Sequence, residues 1–210
     1  LGWRLATEKS KLNVTAYYMN YKNQLVLTGA LSDVGAPLRE NVGDSYRLGL
    51  EVDASIFISN KWLLRPNIAL SQNKNKDYYF QKDGNLINYG NTNIAFSPNI
   101  VAGNGVTFAP SEKLQFSVLS KFVGKQFMGN IDSASSELPS YFVNDFNVSY
   151  EIQPKNVFKS VLFSMLVNNM FNTKYVSNGY YYTYDDTWTN PGSTITLDGA
   201  GYYPQAGINF

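Results

Sequence analysis

Apolar and polar residues alternate with a period of two along most of the chain, and a helical period is hard to find anywhere. In "KLNVTAYYMNY" one face reads Leu12, Val14, Ala16, Tyr18 and the other Lys11, Asn13, Thr15, Tyr17. "SYRLGLEVDASIFIS" sets Tyr46, Leu48, Leu50, Val52, Ala54, Ile56 and Ile58 against Arg47, Gly49, Glu51, Asp53 and Ser55. "WLLRPNIAL" and "YFVNDFNVSYEI" repeat the pattern, with Ile68 and Leu70 against Arg65 and Asn67, and Phe146 and Val148 against Asp145 and Asn147. Strands of this kind bury one face and wet the other.

The punctuation has its own rhythm. Short turns are expected at Glu8-Lys9-Ser10, Asn60-Lys61, Pro110-Ser111-Glu112-Lys113 and Gln153-Pro154-Lys155-Asn156. Long Gly/Asn/Asp-rich loops are expected near 29–43, 77–94, 131–139 and 172–203. The reading is an all-β antiparallel meander of about nine strands with no internal domain boundary. Both a soluble sandwich and a membrane β-barrel meander in this way. Strict alternation of short turns with long loops favours an outer-membrane barrel. So does strand length, since Lys11–Thr28 far exceeds the ~9–11 residues that cross a bilayer. Charges on the polar phase fit either architecture.

Composition narrows the chemistry. Of the 210 residues 16% are charged and 15% aromatic, with 16 Tyr and 13 Phe. A net charge of +1 gives no basis for a nucleic-acid partner. With no Cys and no His there is no thiol nucleophile, structural zinc site or histidine base. No catalytic residue, metal site or cofactor is expected. No apolar run is long enough for a transmembrane helix. "LGWRLATEKS" lacks the features of a signal peptide and enters mid-pattern, as a piece of a longer chain would.

Several segments, in order, resemble one family. "LVNNMFNTKY", Leu166 to Tyr175, resembles the "NLFNKKY"-type signature near the C-terminus of TonB-dependent outer-membrane receptors. "GYYPQAGINF" is similar to that family's entry to its last strand, with Ala206-Gly207-Ile208 where Gly-Arg is usual. Tyr17 to Ala54 resembles receptors of the Bacteroidetes type, and "YFVNDFNVSYEI" the strand expected before the signature. The resemblance implies that residues 1–210 are the C-terminal segment of a transmembrane β-barrel of roughly 22 strands. Plug domain and signal peptide would then lie outside the sequence, and Phe210 would be a truncation point. It further implies a bacterial outer-membrane receptor for nutrient uptake, taking a ferric siderophore, vitamin or similar scarce small molecule. Its partners would be outer-membrane lipid and, through the absent plug, TonB. The rival readings are a small independent outer-membrane barrel, acting as adhesin or anchor, and a soluble carbohydrate-binding module.

The candidate ligand contacts are Tyr180, Tyr181, Tyr182, Tyr184 and Trp188 in the last external loop. Ring faces with a hydroxyl suit glycans, catecholates and planar chelates. The same residues also suit strand packing or an interfacial aromatic girdle. Asp185-Asp186 lacks the oxygen count of a hard-cation site. Glu51 and Asp53 are expected to pair across strands with Arg47, Arg65 or Lys121. "GNG" at 103–105 is expected to mark a bend or bulge. The glycosylation patterns at Asn13 and Asn147 fall inside strands and are set aside.

Overall fold

A computed structural model describes residues 1–31, 34, 36–83, 85–154, 158–187, 190–193 and 195–210. Alternation makes strands, and eight of them form one antiparallel sheet. They are β1 (Gly2–Ala6), β2 (Ser10–Leu31), β3 (Pro37–Ser59), β4 (Trp62–Asn75), β7 (Ile100–Phe108), β8 (Leu114–Val123), β11 (Tyr141–Ile152) and β12 (Val161–Val167), side by side in that order. Three short hairpin ladders rise from the long connections. They are β5 (Tyr79–Lys82) with β6 (Asn85–Asn88), β9 (Gln126–Phe127) with β10 (Glu137–Leu138), and β13 (Tyr175–Asp185) with β14 (Thr196–Gln205). An antiparallel bridge from Asn168 to Asn209 sets the chain's last residues against the end of β12, where a ninth sheet strand would begin.

Register carries the apolar phase intact across the sheet. Ile56 faces Leu64, then Val106, Val118, Phe146 and Val167 in one continuous row. On this face Leu48, Leu50, Ile68, Leu70, Phe142 and Met165 are 38–51% exposed. Apolar surface this continuous is far beyond what a soluble monomer leaves in water; an outward apolar face of this kind is what a transmembrane barrel presents to lipid. Aromatic pairs mark both ends of the band. Trp62 stacks on Phe108 at 4.5 Å beside the short turns, and Tyr18 lies 6.3 Å from Tyr46 toward the long loops. Such girdles sit at membrane interfaces.

The opposite face is polar and partly covered by the long connections, which fold back over it. Arg47 donates to Asn73 Oδ1 at 3.2 Å and to Ser97 Oγ at 3.0 Å. Buried Asn75 donates through Nδ2 to Thr92 Oγ1 at 3.2 Å and Asn130 Oδ1 at 3.4 Å, joining the 76–99 and 124–140 connections. Asn93 ties them again, donating its backbone N–H and Nδ2 to the Asp132 carboxylate at 2.9 and 3.0 Å. Tyr78, Ile94, Met128 and Leu138 fill the space above Val123 and Val143, making a small core at the loop end of the sheet.

Four expectations are corrected. The long loops near 29–43 and 172–203 are largely strand, since β2 runs to Leu31 and β3 restarts at Pro37, at 22 and 23 residues each, and β13 pairs with β14 across most of the last connection. Long β-propensity runs on both sides pair with each other beyond the bilayer, and this outweighs the loop-like Gly and Asp between them. Second, the "GNG" run makes neither bend nor bulge, and β7 pairs without a register shift on both sides. Gly103 instead leaves room for Asn67, whose side chain sits 3.1 Å from where a Cβ would be. Third, Glu51 and Asp53 do not pair with Arg47, Arg65 or Lys121; Asp53 accepts from Asn13 Nδ2 at 2.8 Å, and among the described residues the one ion pair is Lys125–Glu137 at 3.0 Å. Water can solvate charges on a luminal face, so nothing compels them to meet. Finally, β11 ends at Ile152 and β12 begins only at Val161, a wider separation than the four-residue turn expected at 153–156; Lys155 and Asn156 lie outside the described residues.

Candidate functional site

The signature segment builds the base of the last hairpin. β12 ends at Val167, and the next residues must leave the sheet and return to it. Asn169 and Asn172 take positive φ, 51° and 52°, a region asparagine tolerates better than other non-glycine residues. The Asn169 side chain is 6% exposed and fully employed. Its Oδ1 accepts from the Thr173 N–H at 2.9 Å, while its Nδ2 donates to Thr173 O at 2.9 Å and Gly207 O at 3.1 Å. Its own N–H donates to Asp145 Oδ1 at 2.7 Å. Asn172 Oδ1 accepts from the Gly207 N–H at 2.9 Å. The two asparagines thus clamp the entry and exit of β13–β14 to each other and to β11. Below the clamp, Tyr141 stacks on Tyr175 at 4.7 Å, beside a cavity of about 450 Å³ lined by Lys121, Asp145, Gln205 and Asn209.

Above the clamp the tyrosine cluster divides by parity, because successive strand residues point to opposite faces. Tyr180, Tyr182 and Tyr184 share one face, with ring centroids 6.1 and 5.9 Å apart and interplanar angles of 20° and 29°. Tyr203 extends the row at 6.1 Å from Tyr180. Tyr180 pairs with Gly201 and Tyr182 with Gly199 across the hairpin. Each ring reaches over to fill the space of the glycine's missing side chain, 2.3 Å from a hypothetical Cβ. Tyr180, Tyr184 and Tyr203 remain about half exposed.

Tyr181 points the other way. It packs on Gly129, where a Cβ would stand 2.6 Å from the ring. On this docking face Asp198 accepts from Ser133 Oγ at 3.0 Å and Ser135 Oγ at 3.3 Å, and Tyr202 Oη donates to Ser135 O at 2.6 Å. Asp83 and Thr196 exchange two hydrogen bonds, Asp83 N–H to Thr196 Oγ1 at 2.9 Å and Thr196 N–H to Asp83 Oδ1 at 2.7 Å. The three connections therefore form one cap. Trp188 lies outside the described residues. The clamp asparagines and the docking residues Asp83, Ser133, Ser135 and Asp198 are not singled out by sequence reasoning. Only the resemblance of the Asn169 segment pointed toward any of them.

The Tyr181 hydroxyl is buried facing the Asp198 carboxylate and the Ser133 hydroxyl, neither of them in good hydrogen-bonding geometry with it. Burial raises its pKa well above the ordinary 10.0, and the nearby Asp198 carboxylate raises it further. A tyrosine in this position keeps its proton to higher pH folded than unfolded. Docking is therefore fully present below pH 10 and weakens as pH climbs above it. Tyr181→Phe removes the buried, unpartnered hydroxyl, and we expect it to stabilise docking by about 1 kcal/mol and flatten the alkaline loss. Amide exchange of β13, followed from pH 8 to 11 on the full receptor and corrected for its intrinsic pH dependence, measures both.

The family model described as TonB dependent receptor-like, β-barrel, matches residues 1–170. The chain belongs to the TonB-dependent receptor β-barrel family. Solved receptors share the fold. The siderophore receptor PiuA from Acinetobacter baumannii superposes with a TM-score of 0.64 at 18% identity, over 100% of this chain and 27% of its own. The ferric yersiniabactin uptake receptor FyuA from Yersinia pestis gives 0.63 at 17%, over 99% and 28%. The ferric-catecholate import receptor Fiu from E. coli K12, in its closed form, gives 0.61 at 14%, over 99% and 25%. The chain thus spans little more than a quarter of these receptors. No curated protein matches the sequence significantly. TonB-dependent receptors are outer-membrane transporters, not enzymes. Family membership sets aside the soluble carbohydrate-binding module.

Proposed function

We propose that residues 1–210 are the C-terminal wall of a TonB-dependent importer for a scarce nutrient, such as a ferric siderophore or a vitamin. The carrying observation is the stacked row of Tyr180, Tyr182 and Tyr184, its two end rings about half exposed, held by a clamped hairpin above the inward face. They offer contact area without catalytic groups, which is what capture before transport requires. Tyr181 faces the cap and belongs to its packing, not to the contact surface. Trp188, two residues past Asp186, is kept as a ligand contact on sequence grounds.

Two further parts of the reading have their own support. Arg65, Lys121 and Glu151 lie on the inward face and make no ion pair with one another, as suits a wall around a plug that links the receptor to TonB. The Tyr17–Ala54 resemblance supports a receptor of the Bacteroidetes type.

The test is growth and radiolabelled uptake by a strain carrying the full receptor, with iron and vitamin supply restricted in turn. Replacing Tyr180, Tyr182 and Tyr184 together by alanine should cut uptake about tenfold, at roughly 1 kcal/mol or less per lost ring contact, with receptor abundance unchanged. Uptake that persists without TonB, or is unaffected by the triple variant, contradicts the proposal.

A further inference from the structure

The cavity of about 450 Å³ at the foot of the hairpin is separate from the tyrosine row, none of whose rings lines it. Wall and hairpin build it together. β8 contributes Lys121, β11 contributes Tyr141 and Asp145, and β13 and β14 contribute Tyr175, Ser177 and Gln205. A cavity of this size suits a small molecule, and a few polar groups converging in it would fix the molecule's orientation.

Lys121 and Asp145 are the only charged residues in its lining, and they do not meet. In the β8–β11 register Lys121 faces Val143 and Asp145 faces Leu119, which makes the two diagonal neighbours on the inward face. Such positions stand ~7–8 Å apart. Asp145 commits one oxygen, Oδ1, to the Asn169 N–H at 2.7 Å. Its other oxygen accepts no hydrogen bond among the described residues, and the side chains of Lys121, Gln205 and Asn209 make none there either. On the apolar side of the cavity lies the Tyr141–Tyr175 stack, its centroids 4.7 Å apart. One ammonium, one carboxylate and a ring pair therefore share a concave site with their bonding capacity largely unused.

We propose that this cavity binds the zwitterionic head of an α-amino acid, the Lys121 ammonium donating to its carboxylate and the Asp145 carboxylate accepting from its ammonium. Two charge-assisted hydrogen bonds of about 2.8 Å, laid end to end through a compact head group, bridge roughly the diagonal spacing of ~7–8 Å. The flexible Lys121 stem takes up the difference. A ligand with a single charge leaves either Lys121 or Asp145 without a partner, so the site discriminates against plain cations and plain anions. The ring pair gives an apolar or aromatic side group a face to lie on. The site stands on the cavity's own residues and does not depend on what the tyrosine row takes.

Three probes test this on the full receptor in nanodiscs: phenylalanine, phenethylamine, which lacks its carboxylate, and hydrocinnamate, which lacks its ammonium. Saturation-transfer NMR titration should show phenylalanine binding at least about tenfold more tightly than either analogue. Lys121→Gln should weaken phenylalanine and hydrocinnamate about tenfold and leave phenethylamine unchanged. Asp145→Asn keeps an oxygen that can accept from the Asn169 N–H. It should weaken phenylalanine and phenethylamine and leave hydrocinnamate unchanged, with amide exchange in β13 and β14 unaltered. The proposal is overturned by a lack of saturable phenylalanine binding, by equal affinities for the three probes, or by a variant that weakens all three alike.

Discussion

Ile68→Arg is expected to destabilise the folded barrel by about 2–4 kcal/mol, the cost of a guanidinium on the lipid face near the bilayer midplane. Ile68 lies six residues into β4 from the girdle residue Trp62, between Val52 and Ala102, and is 38% exposed. Those six residues rise about 20 Å along the strand, roughly half the membrane once strand tilt is allowed for. The neighbouring substitution Asn67→Arg puts the same charge on the inward face, where water keeps it hydrated, and should cost less than about 1 kcal/mol. Urea unfolding of the full receptor in liposomes compares the two. Equal costs would mean that the faces are wrongly assigned.

Asn169→Ala is expected to cost about 3 kcal/mol, and to do so locally. Alanine at φ 51° pays roughly 1 kcal/mol for a left-handed backbone. The three side-chain hydrogen bonds to Thr173 and Gly207 contribute about 0.5–1.5 kcal/mol each. Because both partners flank β13–β14, their loss should release the hairpin while the eight-stranded sheet survives. Amide exchange should rise across β13 and β14 and stay unchanged in β3 and β4. Asn169→Gly, which relieves the backbone but not the hydrogen bonds, should recover about a third of the loss. Exchange rising equally in β3 would show that the clamp supports the whole wall.

The two faces of the wall were legible in the sequence because side-chain direction repeats every two residues, a local property. Leu50 and Glu51 are assigned to opposite solvents by parity alone, and pairing confirms the assignment across every sheet strand. The turn rhythm was legible for a similar reason, as at Asn60-Lys61, where two polar residues interrupt two apolar runs. Composition was a poorer guide at 29–43, where Gly and Asp suggest a loop but β2 and β3 extend far past the bilayer. Pairing to a partner strand decides such a segment, and composition does not register it.

The cap was much less legible. Parity shows that Tyr181 opposes Tyr180 and Tyr182, but not which side docks and which stays open. That choice depends on Gly129, Ser133 and Ser135 some fifty residues away, and on Asp83 meeting Thr196 across 113 positions. The sequence by itself determined an all-β wall with one apolar face, one polar face and a tyrosine-rich last connection, because strand period and turn chemistry are encoded within a few neighbouring residues. Only the tertiary structure decided that Asn169 clamps the hairpin, that Tyr181 packs on the cap and that Tyr180 and Tyr184 stand open. Each of those outcomes depends on contacts between segments whose separation along the chain leaves no local pattern to read.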